Sequence, residues 1–324
     1  MQDAKYDEGY VRELNEKAVA IIGPLLPDKA AERVQQAYRQ ANTAVRKSIC
    51  QHTGLSLSHD GTRQTISVRI ADGFPVPMAE TIIENEDPML WRVILAGPML
   101  DGMIDGLDHL IEKWKHFESW PDRPPSVRNG KPHLDGALQI ANDLKTLPGQ
   151  KEIFDEIRKI EEDILGTYRF RLGRSSWVEL YWMPIALVAS AKNIRIEDLT
   201  VVVLAHELAH AYTHKGQDID GRQWLDPDFG ESNIKVKEGL AQYYTEVTAR
   251  HLRARWPEMI TAFNLLLKLQ SKPYHVHNTW LKDSPQQRAE VIRFSLIQAR
   301  TRDAITHDQW VDIMTETQAS LESP

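Results

Sequence analysis

The stretch that decides the reading is Glu197-Asp198-Leu199-Thr200-Val201-Val202-Val203-Leu204-Ala205-His206-Glu207-Leu208-Ala209-His210-Ala211-Tyr212-Thr213-His214. It has helical length, and its acidic residues fall in the first turn, where the helix dipole favours negative charge. His206 and His210 are four apart, so both imidazoles lie on one face, a single turn from each other. That is the reach needed to bind one zinc ion through two ring nitrogens. Glu207 stands one step round the helix and can approach a remaining coordination position without binding the metal, which is the place for a general base. The apolar run Val201 to Ala205 implies a buried helix, in which unpaired His and Glu would be costly. A metal removes that cost.

A catalytic zinc usually takes three protein ligands. His214 lies four beyond His210, but a helix turns away from its own metal and three stacked His rarely converge. Asp218 and Asp220 sit in an Asp-Gly run that reads as a turn. Glu238 is the better choice: it opens Glu-Gly-Leu-Ala-Gln-Tyr-Tyr-Thr-Glu-Val-Thr-Ala-Arg, a second amphipathic helix whose first-turn carboxylate can project onto the first. These residues predict one Zn2+ per chain.

Working outward, Ser176 to Trp182 alternates in twos, with Trp177, Glu179 and Tyr181 on one face and Val178, Leu180 and Trp182 on the other. Thr167 to Arg171 is a second strand-like run, separated from it by Leu172-Gly173-Arg174-Ser175. Pro184 reads as the first residue of a short helix to about Ala191. Helices are expected near 135–147 and 151–165. Upstream, Trp120 to Pro132 holds Pro121, Pro124, Pro125, Gly130 and Pro132, which marks a boundary. The chain therefore divides into 1–125, a helical region with a β-hairpin, and 126–324, the metal-binding unit.

In the first region, about 10–25 and 28–49 carry apolar residues at helical spacing, the second with Asp28 placed to cap it. Leu55 to Ser58 and Thr65 to Ile70 alternate around His59-Asp60-Gly61-Thr62, a hairpin signal with Asp-Gly at the turn. Helix resumes over about 78–117, broken near Gly97-Pro98. There Asp101, Asp105 and His109 recur every four residues and read as a solvated polar face. The fold class is α+β, mostly helical, with a small twisted sheet packed on the metal-binding helix.

Composition narrows the function classes. A net charge of −7 without clustered Lys and Arg argues against a sequence-independent grip on nucleic acid. No apolar run approaches the roughly 20 residues of a membrane span. The polar, acidic N-terminus lacks the features of a secretory signal, and the single cysteine, Cys50, excludes an internal disulfide, so the expected compartment is the cytoplasm. The Trp residues, including Trp91, Trp114, Trp177 and Trp224, are spread along the chain and read as core packing and amphipathic surface.

His206-Glu207-Leu208-Ala209-His210 followed by Glu238-Gly239-Leu240-Ala241-Gln242-Tyr243-Tyr244 resembles the gluzincin group of zinc metallopeptidases, over about 168–250. The resemblance implies that His206, His210 and Glu238 are ligands, that Glu207 is catalytic, and that the substrate is a peptide or protein cleaved by a metal-activated water. The 27 residues between His210 and Glu238 make a longer linker than in the best-known members. Gln242 stands where thermolysin-like members carry an Asp that orients a ligand His, which leaves Gln242, Asp218 or Glu246 for that work. Donors for a developing oxyanion are expected among Tyr243, Tyr244 and the run Pro273-Tyr274-His275-Val276-His277, with His277 first. Ser176 to Trp182 corresponds in position to the edge strand that zincins pair with extended substrate. Rival readings are a non-catalytic zinc-containing binding or effector protein and a hydrolase of a non-peptide amide.

Overall fold

The computed structural model describes residues 7–59, 62–63, 66–118, 130–146, 153, 164–170, 175–282 and 287–322. Within them the chain is mostly helical, with a three-stranded mixed sheet and a separate two-stranded ribbon. No described helix is long and apolar enough to cross a membrane.

Helix α1 (Glu8–Ile22) is capped by Asp7, whose Oδ1 accepts from the Gly9 and Tyr10 amides at 2.9 and 3.2 Å. In α2 (Ala30–Thr53) the expected cap, Asp28, is displaced by Lys29 in a left-handed conformation with no side-chain cap bond; Gly54 ends the helix at φ +71°. β1 (Ser58–His59) and β2 (Thr62–Arg63) pair antiparallel as the expected hairpin's arms would, but each is only two residues long; Asp60-Gly61 lie outside the described residues. The alternating residues that follow are not its second arm. They make β3 (Ser67–Ala71), which runs parallel to β5 (Trp177–Tyr181) in exact register from Ser67↔Trp177 to Ala71↔Tyr181. The stretch expected as two helices is three: α3 (Val76–Glu84), α4 (Pro88–Leu95) and α5 (Gly97–Glu118). The extra break falls at Asp87-Pro88, where Asp87 caps the Met89 amide and proline takes the first helical position.

Beyond residue 129 come α6 (Gly130–Lys145), β4 (Gly166–Arg169), β5 and α7 (Trp182–Ala191). The segment 119–129, most of the expected boundary, lies outside the described residues, as do 171–174 and most of 151–163. The remaining helices are α8 (Ile196–Lys215), α9 (Asp226–Glu231), α10 (Ile234–His251), α11 (Met259–Leu267), α12 (Lys272–His275), α13 (Arg288–Ala299) and α14 (His307–Glu322).

The order of the sheet is β3-β5-β4, so β5, expected as the edge, is central. The strand antiparallel to it at one edge is β4, and that edge lies over α8. The larger core is assembled around α8, with side chains from α2, the sheet, α10, α13 and α14; residues on both sides of 125 contribute to it. Every residue of α8 from Asp198 to His214 is buried. A helix apolar all round belongs in an interior, and that burial overrides the weak helix propensity of Val201-Val202-Val203. Arg33 on α2 clamps the start of α8 by a bidentate bond to Glu197, at 2.7 and 2.9 Å. A second, smaller core joins α1, α3 and α4 to α7 through Ile22, Met78, Trp91 and Leu187.

Candidate metal centre

Helices α8 and α10 pack side by side, and their buried faces bring His206, His210 and Glu238 together. The two Nε2 atoms are 3.2 Å apart, and Glu238 Oε2 stands 3.2 Å from His206 Nε2 and 3.3 Å from His210 Nε2. Three donors at about 2.0–2.1 Å from one tetrahedral zinc must be about 3.3 Å from each other, so the triangle has the size such an ion needs. Two imidazoles and one carboxylate are also a donor set that zinc accepts. Burial opposes the charge on Glu238, but His210 and His206 more than offset this and hold its carboxyl well below the usual range. The three residues can therefore hold a metal ion.

Glu238 occupies the first turns of α10, whose start is fixed by Asn233 capping the Lys235 amide. The glycine after it has a steric purpose. A Cβ at Gly239 would stand 2.5 Å from the Trp280 ring and 2.7 Å from Val276, so the segment 276–280 lies directly on the helix only because that residue is glycine. This packing brings α12 alongside, and the Tyr274 ring comes to 5.9 Å from the His206 ring.

Glu207 is 1% exposed and sits beneath β4: a Cβ at Gly166 would meet its Cγ at 2.9 Å and its Oε1 at 3.0 Å. Glycine at that position lets the strand lie against the carboxylate.

The other expected residues have these places. His277 is fully buried; its Nδ1 is 2.9 Å from the Tyr274 carbonyl and its Nε2 3.7 Å from Glu246 Oε2. Burial pushes this imidazole down to about 4, against the opposing pull of Glu246. Tyr243 is buried with the Arg288 guanidinium 5.1 Å from its ring centre, and burial raises its hydroxyl pKa. Tyr244 packs edge-on against Tyr243. Of the residues considered for orienting a ligand, Gln242 donates to Gln270 at 2.8 Å and Glu246 accepts from Arg250, while Asp218 closes its own turn through the Asp220 and Arg222 amides. His214 is not in the metal group; its ring stacks on Phe229 at 4.1 Å. Asp101, Asp105 and His109 are exposed on α5, as expected of a solvated face. Cys50 is half-buried against the larger core.

Sequence reasoning passed over Gly166 and Tyr274's nearness to His206. A glycine next to an alternating run was the available signal for the first; the second depends on the irregular segment 271–280 and had none. No family model, curated protein or solved structure matches the chain.

Proposed function

We propose that the chain is a zinc-dependent peptidase of the gluzincin type, with His206, His210 and Glu238 as ligands and Glu207 as general base. The observation that carries this reading is the donor triangle with 3.2–3.3 Å sides, one of whose members is followed in sequence by a buried carboxylate. A zinc ion held there would supply Lewis acidity to a water and to a substrate carbonyl. Glu207 takes a proton from the attacking water and delivers it to the leaving amine. Tyr274, whose ring lies 5.9 Å from that of His206, stabilises the developing oxyanion; His277, which holds the Tyr274 carbonyl, fixes that residue in place. An extended peptide adds its main chain along the edge of β4, which passes over Glu207.

One observation favours the rival, non-catalytic reading. His206, Glu207, His210 and Glu238 are each no more than 6% exposed, the burial expected of a structural metal. The test uses zinc-loaded protein and a mixed peptide library read by mass spectrometry. Glu207→Gln keeps size and helix geometry, so zinc content and melting temperature should stay near wild type while turnover falls by about 10²–10⁴-fold. Cleavage that persists in this variant would overturn the peptidase reading, and a zinc-loaded wild type that cleaves nothing would favour the binding protein.

A further inference from the structure

The edge of β4 is held to α8 at two points. The Tyr181 amide donates to the Leu165 carbonyl, and Thr167 lies opposite Glu179. In an antiparallel ladder this turns the main-chain groups of 165, 167 and 169 toward β5 and those of Gly166 and Tyr168 away from it, to the side where no described strand lies. Gly166 rests on Val203 and Glu207. Two residues on, the Tyr168 hydroxyl is 3.0 Å from His214 Nδ1. His214 belongs to the same helix as Glu207, about two turns further along.

His214 is itself immobilised. It is fully buried, lies flat on Phe229 with an interplanar angle of 5°, and meets Phe170 edge-on at 4.6 Å. Its Nε2 faces Asp226 Oδ1 at 3.1 Å, off the line of a straight hydrogen bond. Burial, with Lys215 and other cations nearby, pushes the imidazole down to about 2 and keeps it neutral. A neutral ring has one acceptor and one donor: a proton on Nε2, toward the Asp226 carboxylate, makes Nδ1 the acceptor for the Tyr168 hydroxyl.

We propose that His214 is a positioning residue, which holds the outer edge of β4 at a fixed height over Glu207 through the Tyr168 hydroxyl. The functional part of this inference rests on the peptidase reading; the mechanical part does not. The four-residue step from His210 to His214 thus joins the metal-binding face of α8 to the strand that receives substrate.

The test compares Tyr168→Phe, which deletes the hydroxyl, with His214→Leu, which deletes the acceptor, and His214→Asn, whose side-chain oxygen can replace Nδ1. Hydrogen exchange is followed at the Thr167 and Arg169 amides, which face β5, and across α8; zinc content and peptide kinetics are measured on the same samples. Loss of one hydrogen bond corresponds to about a 5–10-fold effect. Exchange at Thr167 and Arg169 should quicken by that factor in Tyr168→Phe and His214→Leu, return toward wild type in His214→Asn, and stay unchanged in α8. Zinc content should hold, and KM should rise by the same factor with kcat little altered. Unchanged exchange in Tyr168→Phe, which needs no refolded core, would overturn the proposal, and so would exchange that rises equally in β4 and α8. Absence of peptide turnover in the wild type would sink the peptidase reading instead, with the exchange result still deciding the strut.

Discussion

Two helices of nearly equal length carry polar, ligand-type side chains at four-residue spacing, and only one of them gathers those side chains into a group that could hold a metal. In α5, 22 residues long, Asp101, Asp105 and His109 share a face that is exposed, and Asp101 pairs with Lys145 of the neighbouring α6. In α8, 20 residues long, His206 and His210 share a face that α10 covers, and Glu238 is delivered to it from that helix. The spacing is the same. What differs is a second element bringing the third donor, and a low-dielectric surrounding that buries all three. Spacing nominates ligands, and burial against a partner selects among them.

The largest test of this contrast is metal content. His206→Ala and Glu238→Ala should each take zinc from about one ion per chain to near none under chelator, because a three-donor site loses much of its binding energy with any one donor. Asp105→Ala and His109→Ala should change nothing in the same elemental analysis. Zinc loss from the α5 variants would break the comparison.

Stability should separate the helices next. Leu204, fully buried on α8, should cost about 2–5 kcal/mol on truncation to Ala, whereas Leu110, 49% exposed on α5, should stay within about 0.5–1 kcal/mol. Denaturant melts at constant zinc measure both.

The smallest effect, per step, is in acid. His214, held down to about 2, and His277, at about 4, are neutral in the folded chain well below the pH at which they gain protons when unfolded. Between about pH 6 and 4 the unfolded state binds the extra protons, so stability falls as pH falls, by at most about 1.4 kcal/mol per pH unit for each group. His277→Gln should flatten this limb of the stability curve measured on metal-free protein; an unaltered slope would show that the ring is not buried neutral.

The residues that could be read from sequence were those whose partners are set by one helix or by the next. The pairing of His206 with His210 follows from the 3.6-residue period, and Glu238 from the start of the following long helix. The sheet was harder. Alternation marks Ser67 to Ala71 and Trp177 to Tyr181 as strands but does not say that they pair with each other, so the first reads as an arm of the local hairpin and the second as an edge. His214 had the right spacing for a ligand and the wrong direction, which only the Phe229, Tyr168 and Asp226 contacts reveal. Tyr274 reaches His206 because Gly239 admits Trp280, a contact between residues about 40 apart with no periodic trace.

The parallel pairing of β3 with β5 also sets a timetable for synthesis. A tight turn cannot close a parallel pair, and Ser67 meets Trp177 about 110 residues later in the chain. At about 5–20 residues per second, β3 leaves the ribosome roughly 5–20 s before its partner exists. During that wait its hydrogen-bonding edge is open to any other extended chain. The strand reads Ser67-Val68-Arg69-Ile70-Ala71, short and with a cation at its centre, and such a strand is a poor template for association with its own kind. Arg69, which in the finished sheet lies 5.5 Å from the Trp177 ring, is a charge of the kind that disfavours edge-to-edge pairing in the interval before that ring arrives.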